Sequence, residues 1–298
     1  MTANESFKIA LVQMAMSERA EENIERAQAG IAQAARAGAR VVCLPELYHA
    51  RYFCQREDAS FFDLAEPPDG AAVRAAREAA ARHNVAVIAP FFERRAPGVY
   101  HNSAAVIDER GEVAGLYRKM HIPDDPCYYE KFYFAPGDLG FRAFDLSAGR
   151  IGVLICWDQW YPEAARLTAL QGALVIFYPT AIGWHPREKA AQGTAQRDAW
   201  RTVQRGHAVA NGVYVAAVNR VGLERPDPQA DGIEFWGSSF VADPQGQIVA
   251  EASESREEVL VAEVSPARIE DVRRNWPFLR DRRIDAYGAI ASRYLDAP

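Results

Sequence analysis

The chain has 298 residues, 49% hydrophobic and 25% charged, which is enough apolar side chain for a sizeable core and excludes a disordered or fibrous protein. A net charge of −6 argues against nucleic acid and anionic membrane surfaces as partners, and no apolar run approaches the roughly 20 residues of a membrane helix. The first six residues lack a basic and apolar leader, the four cysteines have no C-x-x-C spacing and the six histidines no ligand-like grouping, so reduced thiols in a cytoplasm are expected and no metal or disulfide framework.

Taken in order, residues 7–14 read as a strand, 21–37 as an alanine-rich helix stopped at Gly38, and 41–44 as a buried strand closed by Pro45 with Glu46 at its tip. A second helix is predicted over 71–83, strands over 85–92 and 100–107, and a hairpin turn at Asp108-Glu-Arg-Gly111 leading into 112–117. The apolar run 151–155 leads straight into Cys156, followed by a helix over 164–170 with Pro162 suited to its first turn and Gly172 to its stop. Further on come a strand at 174–178, a helix at 194–211 and a strand at 213–218. A second hairpin at 238–242 and 247–250 turns over Asp243-Pro-Gln-Gly246, followed by a strand at 259–264 and a short helix at 267–274. Helices and strands alternate, but the hairpins break the strict βαβ rhythm, and no dinucleotide or P-loop fingerprint is present. A single α/β domain over 1–298 is expected. Its tail, 266–298, carries Trp276, Phe278, Leu279, Tyr287 and Tyr294, which a partner subunit would cover.

Cys156 is the most informative residue. Set between an apolar strand and a helix start, its thiol is expected to point outward near helix N–H groups that favour a thiolate. Glu46, Lys119 and Glu130 also stand just after predicted strands or in the aromatic-rich loop that follows, and strand tips of one sheet can converge. Together they make chemical sense. A carboxylate at Glu46 can take the thiol proton and return it to a leaving amine. An ammonium at Lys119, helped by the Trp157 N–H, can hold a tetrahedral oxyanion. Glu130 can orient Lys119, the substrate or the attacking water. His121 is a possible base, though a lone histidine is more often structural.

Three segments carry a resemblance: Pro45-Glu46-Leu47, Tyr117-Arg-Lys119-Met-His-Ile-Pro and Leu154-Ile-Cys156-Trp-Asp resemble the signature segments of the nitrilase, or carbon–nitrogen hydrolase, superfamily, in the same order. The likeness runs from Ile9 to about Val264. It implies a four-layer αββα sandwich, Cys156 as nucleophile, Glu46 as base, Lys119 as oxyanion stabiliser, Glu130 as second glutamate, and no metal or organic cofactor. It also implies homo-oligomers built from dimers that pair through their helical faces. His121-Ile-Pro-Asp124, the segment from Glu130 to Asp138, Pro179-Thr-Ala-Ile-Gly183, Arg197-Asp198-Ala-Trp200 and Gly206-His207-Ala208 resemble the N-carbamoylputrescine amidase subgroup, whereas Asp124-Asp-Pro-Cys-Tyr-Tyr129 departs from that subgroup's glycine-rich version. The implied reaction is hydrolysis of a cationic ureido compound to putrescine, carbon dioxide and ammonia, in polyamine synthesis from agmatine. An ammonium end would want carboxylates or aromatic faces, for which Asp124, Asp125, Tyr128, Trp157 and Glu188 are the candidates. An N-carbamoyl amino acid such as the β-alanine derivative would want an arginine fork, for which Arg187 and Arg197 are available. An ω-amidase, a nitrilase and a silent interaction protein on the same scaffold are the other readings.

Overall fold

The computed structural model describes residues 5–295; residues 1–4, where a leader would begin, and 296–298, the end of the predicted tail, lie outside the described residues. The first half runs β1 (Phe7–Gln13), α1 (Ala20–Arg36), β2 (Ala39–Cys43), α2 (Ala71–His83), β3 (Ala86–Ala96), β4 (Val99–Ile107) and β5 (Val113–Arg118). After the short α3 (Glu130–Tyr133), the second half runs β6 (Ala143–Leu146), β7 (Gly149–Val153), α4 (Pro162–Leu170), β8 (Val175–Thr180), β9 (Gly183–Trp184), α5 (Pro186–Asn211), β10 (Tyr214–Asn219), β11 (Val221–Glu224), β12 (Ile233–Trp236), β13 (Phe240–Ala242) and β14 (Ile248–Glu251). The chain then returns to the first half as β15 (Glu258–Val264) and ends its regular structure in α6 (Pro266–Asn275).

Two six-stranded sheets result, ordered β15-β1-β2-β3-β4-β5 and β14-β13-β10-β8-β7-β6, with a small third sheet β11-β12-β9. Strand alternation explains the layering. On β1, Ile9 and Leu11 join Val41, Cys43, Ile88 and Val106 in the core between the two large sheets, where Val153, Phe177 and Ala216 meet them. Ala10 and Val12 point the other way, with Val42, Val87 and Ala89, onto Ile31 of α1 and Ala72, Ala76 and Ala79 of α2. Helices α4 and α5 cover the outer face of the second sheet. The order of layers is αββα, as the resemblance implies.

Both halves deviate from the predicted elements in ways that bear on the site. Helix α5 begins at Pro186, not 194: the proline sits in its first turn, where no N–H is needed, and the His185 ring accepts from the Arg187 N–H. Gly193 inside it looks like a break but is a contact, since its carbonyl accepts from the Trp184 indole at 2.9 Å and a Cβ there would lie 3.0 Å from that nitrogen. Strands β6, β9, β11 and β12 are too short to show a period of two and were not expected from the sequence. The Pro/Asp-rich stretch around 224–232 is the loop joining β11 to β12.

The strand leading to Cys156 is seated on α4 through Gly152, where a Cβ would come within 2.3 Å of Thr168 Cγ2 and 3.4 Å of Ala173 Cβ. A Gly152→Val substitution forces β7 and α4 apart and should cost about 1–3 kcal/mol. Urea unfolding will read this, and an unchanged midpoint would show that α4 is not seated on β7 in the way described.

Candidate active site

The backbone leaves regular structure at each proposed site residue. Strand β2 ends at Cys43, Glu46 follows in a turn, and Leu47 takes a left-handed φ of +50°. Lys119 directly follows β5, its N–H donating to Asn102 O at 2.8 Å and its carbonyl accepting from Gly137 N at 2.8 Å. Glu130 opens α3 rather than lying in a loop. Cys156 opens a 3-10 turn, Cys156–Trp160, with φ of +42°, a strained conformation for a residue with a side chain. Asp158 secures that turn: one carboxylate oxygen accepts from Ile155 N at 2.9 Å and Tyr117 Oη at 2.7 Å, the other from His121 N at 3.0 Å.

The structure brings Glu46, Lys119 and Glu130 into one chain of hydrogen bonds. Lys119 Nζ donates to Glu46 Oε1 at 2.8 Å and to Glu130 Oε2 at 2.6 Å, all three side chains being wholly buried. Two of the ammonium's three donors are thereby used, which leaves one to point elsewhere. Asn102 Nδ2 donates to Glu46 Oε1 at 2.7 Å, and the Tyr52 hydroxyl donates to Glu130 Oε1 at 2.7 Å. Glu46 Oε2 is buried and unpartnered, an acceptor held open. Burial alone would push the Lys119 ammonium towards neutrality, but the Glu130 and Glu46 carboxylates outweigh it and hold its pKa well above the ordinary lysine value. Burial raises Glu130 despite the opposing pull of Lys119. Burial, then the charge of Glu130, keeps the Tyr52 phenol protonated and able to donate.

Cys156 differs from the sequence expectation. Its side chain points inward, 4% exposed, and Sγ donates to Ala181 O at 3.8 Å. Burial and the neighbouring Glu46 carboxylate push the thiol well above its ordinary pKa, with Lys119 opposing. A resting thiolate is therefore not favoured. The helix that was to stabilise one, α4, starts only at Pro162, with the 3-10 turn in between.

Cys156 reaches a cavity of ≈ 430 Å³ that Tyr128, Trp157, Trp160, Trp236, Asp125 and Glu188 help to line. Four of the five predicted recognition residues thus meet there, and Asp124 does not line it. The Tyr128 hydroxyl is occupied by Gly183, donating to its carbonyl at 3.2 Å and accepting from its N–H at 3.1 Å, so only the ring faces the cavity as a free feature. Glu188 Oε2 accepts from Gln196 Nε2 at 3.4 Å. Among the described residues no lysine or arginine lines this cavity. Arg187 pairs with Asp231 at 2.6 Å and Arg197 with Glu254, so both predicted forks are engaged outside it. His121 Nδ1 lies 2.7 Å from Asp158 Oδ1 and the ring stacks on Tyr161 at 3.8 Å, a structural arrangement. Among the described residues no group of three or more His, Cys, Asp or Glu side chains could hold a metal, and no helix is long and apolar enough to cross a membrane.

Tyr52, Asn102 and Asp158 were missed in the sequence. Asp158 had a signal, as a carboxylate two residues beyond the cysteine. Tyr52 and Asn102 had none, since their partners are 78 and 56 residues away in the chain.

Comparison with known proteins gives the family. Residues 8–274 match the carbon–nitrogen hydrolase family. An N-carbamoylputrescine amidase of Arabidopsis thaliana is 43% identical, over 95% of this chain and 94% of its own. A citrullinase of Francisella tularensis is 40% identical over 97% and 99%. The crystal structure of a carbon–nitrogen hydrolase from Helicobacter pylori G27 superposes with a TM-score of 0.94 at 46% identity, covering 98% of this chain and all of that one. With an αββα sandwich, a glutamate–lysine–glutamate chain at its sheet edge and a cysteine on a strained turn beside it, this chain belongs to the carbon–nitrogen hydrolase family.

Proposed function

We propose that the protein hydrolyses N-carbamoylputrescine to putrescine, carbon dioxide and ammonia, the step that completes putrescine synthesis from agmatine, in the cytoplasm. The observation that carries the substrate class is the cavity over Cys156: acidic at Asp125 and Glu188, aromatic at Trp157, Trp160 and Tyr128, and without lysine or arginine in its lining. An alkylammonium is drawn to such a site by the carboxylates and ring faces, whereas the carboxylate of an N-carbamoyl amino acid finds no fork. The similarity to N-carbamoylputrescine amidases supports the same reading.

The chemistry follows from the proton inventory. Cys156 rests as a thiol. As Sγ attacks the ureido carbon, its proton passes to the open Oε2 of Glu46, and the carbonyl oxygen becomes an oxyanion. The spare donor of Lys119 and the Trp157 N–H hold that oxyanion. Glu46 then protonates the departing nitrogen, which leaves a thioester on Cys156. Water, deprotonated by Glu46, attacks this thioester, and the thiol leaves with the returned proton. The carbamate released decomposes to carbon dioxide and the second amine. Glu130, anchored by Tyr52, keeps Lys119 charged and directed.

The C-terminal tail supports a homo-oligomer built from dimers. Trp276, Ile284, Ile290, Tyr294 and Leu295 are exposed, as are Leu167 and Leu170 on α4, and large apolar side chains left to solvent are what a second subunit would cover. Light scattering should give a dimer or larger, and the chain ended after Asn275 should give a smaller species; a monomeric full-length chain would overturn this assembly.

Two measurements test the reaction. At equal concentrations, ammonia release from N-carbamoylputrescine should exceed that from N-carbamoyl-β-alanine by roughly 100-fold or more in kcat/KM, with citrulline and simple ω-amides also below it. Dominance of any of these would keep the nucleophile and replace the substrate. Cys156→Ala should abolish release, whereas an active variant would remove the thiol from the mechanism. Glu188→Gln should raise KM no more than about fivefold, because an exposed ion pair contributes little.

The raised thiol makes a separate prediction for the free enzyme. A raised pKa leaves thiolate scarce at pH 7, its fraction growing about tenfold per pH unit below the pKa. Iodoacetamide alkylation of Cys156 should therefore climb steadily from pH 7 into the alkaline range. A rate already flat at pH 7 would show a preformed thiolate.

A further inference from the structure

The proposed base lies in the turn after β2 and the second glutamate opens α3, and a pair of side chains outside the cavity is linked to both. Arg220 directly follows β10, and Glu224 is the last residue of β11; both are buried, Arg220 completely. Arg220 Nη1 donates to Glu224 Oε1 at 2.9 Å and Oε2 at 3.1 Å. From this anchored position Nη2 donates to the main-chain carbonyl of Glu46 at 2.6 Å and to that of Leu47 at 3.2 Å, while Nη1 also reaches Ala50 O at 3.2 Å. Glu224 Oε2 accepts from Tyr52 N at 2.6 Å, and it is the Tyr52 hydroxyl that holds Glu130. The guanidinium is flanked by the rings of Phe235, 5.3 Å away, and Tyr52, 5.9 Å away.

We infer that Arg220 and Glu224 are positioning residues of this active site, fixing where Glu46 and Glu130 stand on either side of Lys119. The inference rests on Glu46 and Glu130 acting as proposed above. Its physical basis is directional. The carbonyls of Glu46 and Leu47 converge on one nitrogen, which the left-handed φ of Leu47 permits, and a planar fork of fixed geometry is the group that can satisfy several carbonyls at once. A lysine ammonium offers one compact point charge and reproduces only part of the set. Buried ion pairs are a poor source of net stability, since desolvation offsets the attraction, so a pair placed here is better accounted for by the geometry it imposes. The link to Glu46 runs through the residue's own backbone, and the link to Glu130 through Tyr52. A shift of the pair therefore moves both carboxylates relative to the ammonium, without touching the cavity wall formed by Trp157, Trp160 and Glu188.

The test uses the full-length enzyme with Arg220→Lys and the isosteric Glu224→Gln, and Cys156→Ala as reference. Rates are expressed per folded molecule, counted from the native near-ultraviolet circular dichroism signal, so that misfolded molecules drop out. The expected result is a fall in kcat on the order of 10- to 100-fold from misplaced groups, with KM held within about threefold. The acid limb of the pH profile of kcat/KM should also move, because the environment of the proton-transferring carboxylates has changed. A kcat per active site equal to wild type with an unmoved pH profile overturns the inference, whatever happens to the melting temperature. So does loss of the fold in both variants, which would assign the pair to stability alone. An active Cys156→Ala enzyme would instead remove the reaction mechanism on which the inference rests, a distinct outcome.

Discussion

Everything at this site depends on one wholly buried ammonium held between two wholly buried carboxylates. Lys119 could not remain charged in that position alone, because burial favours the neutral amine, and the Glu130 and Glu46 carboxylates reverse that preference. The surroundings then act on the hydrogen-bonding capacity that the two carboxylates have left. Asn102 shares Glu46 Oε1, Tyr52 takes Glu130 Oε1, and Glu46 Oε2 is left without a donor. An unpaired buried carboxylate oxygen is costly, and a fold that retains one keeps an acceptor available to an incoming donor.

The thiol is the counterpart of that acceptor. Near a carboxylate and away from water, Cys156 is better off as a neutral thiol, and the nearby lysine does not reverse the balance. In the proposed mechanism, proton transfer therefore occurs as the carbon–sulfur bond forms and not beforehand. The strain at φ +42° is tolerated because Asp158 ties the turn to β5 and to the loop beginning at His121, so the sulfur is presented by a rigid turn. The same aspartate spans the segment that carries Lys119 and the segment that carries Cys156, so the proposed nucleophile and the proposed oxyanion donor share one anchor.

The legibility of these features in the sequence divides along a physical line. The αββα sandwich could be read because its strands are apolar runs closed by turn residues and its helices are alanine-rich with clear stops, and α2 spans the predicted residues 71–83. Glu46, Lys119 and Cys156 could be singled out because each interrupts or follows such a run, and because their short flanking segments resemble those of one superfamily. What could not be read is whatever depends on long-range contact. Arg220 lies 174 residues from the carbonyl of Glu46 that it binds, and nothing in the local pattern around it differs from a turn between two strands. The direction of the Cys156 thiol was misread for a related reason: an elbow was expected to place it at a helix N-terminus, but an intervening 3-10 turn rotates it inward. Asp124 and Asp125 are indistinguishable in sequence, and only the path of the loop decides that Asp125 lines the cavity.

The site also separates two kinds of demand. The proposed base, oxyanion holder and second glutamate lie wholly inside, linked to each other and to Tyr52 and Asn102 by hydrogen bonds of 2.6–2.8 Å. The recognition groups lie outside the thiol, on the loop at 123–128 and the first turns of α5, where Asp125 and Glu188 remain exposed. Small movements of the inner groups cost much, because a proton must pass between atoms held at hydrogen-bond distance. Changes among the outer groups cost little individually, because water screens them. Relatives with different substrate names can therefore share an inner constellation while their outer loops diverge. The departure of residues 124–129 from the glycine-rich pattern then bears on what is bound and not on how the bond is broken. The proposed selectivity for a cationic tail would, in this arrangement, arise from the lack of a countercharge for a carboxylate among the described lining residues as much as from attraction to the amine.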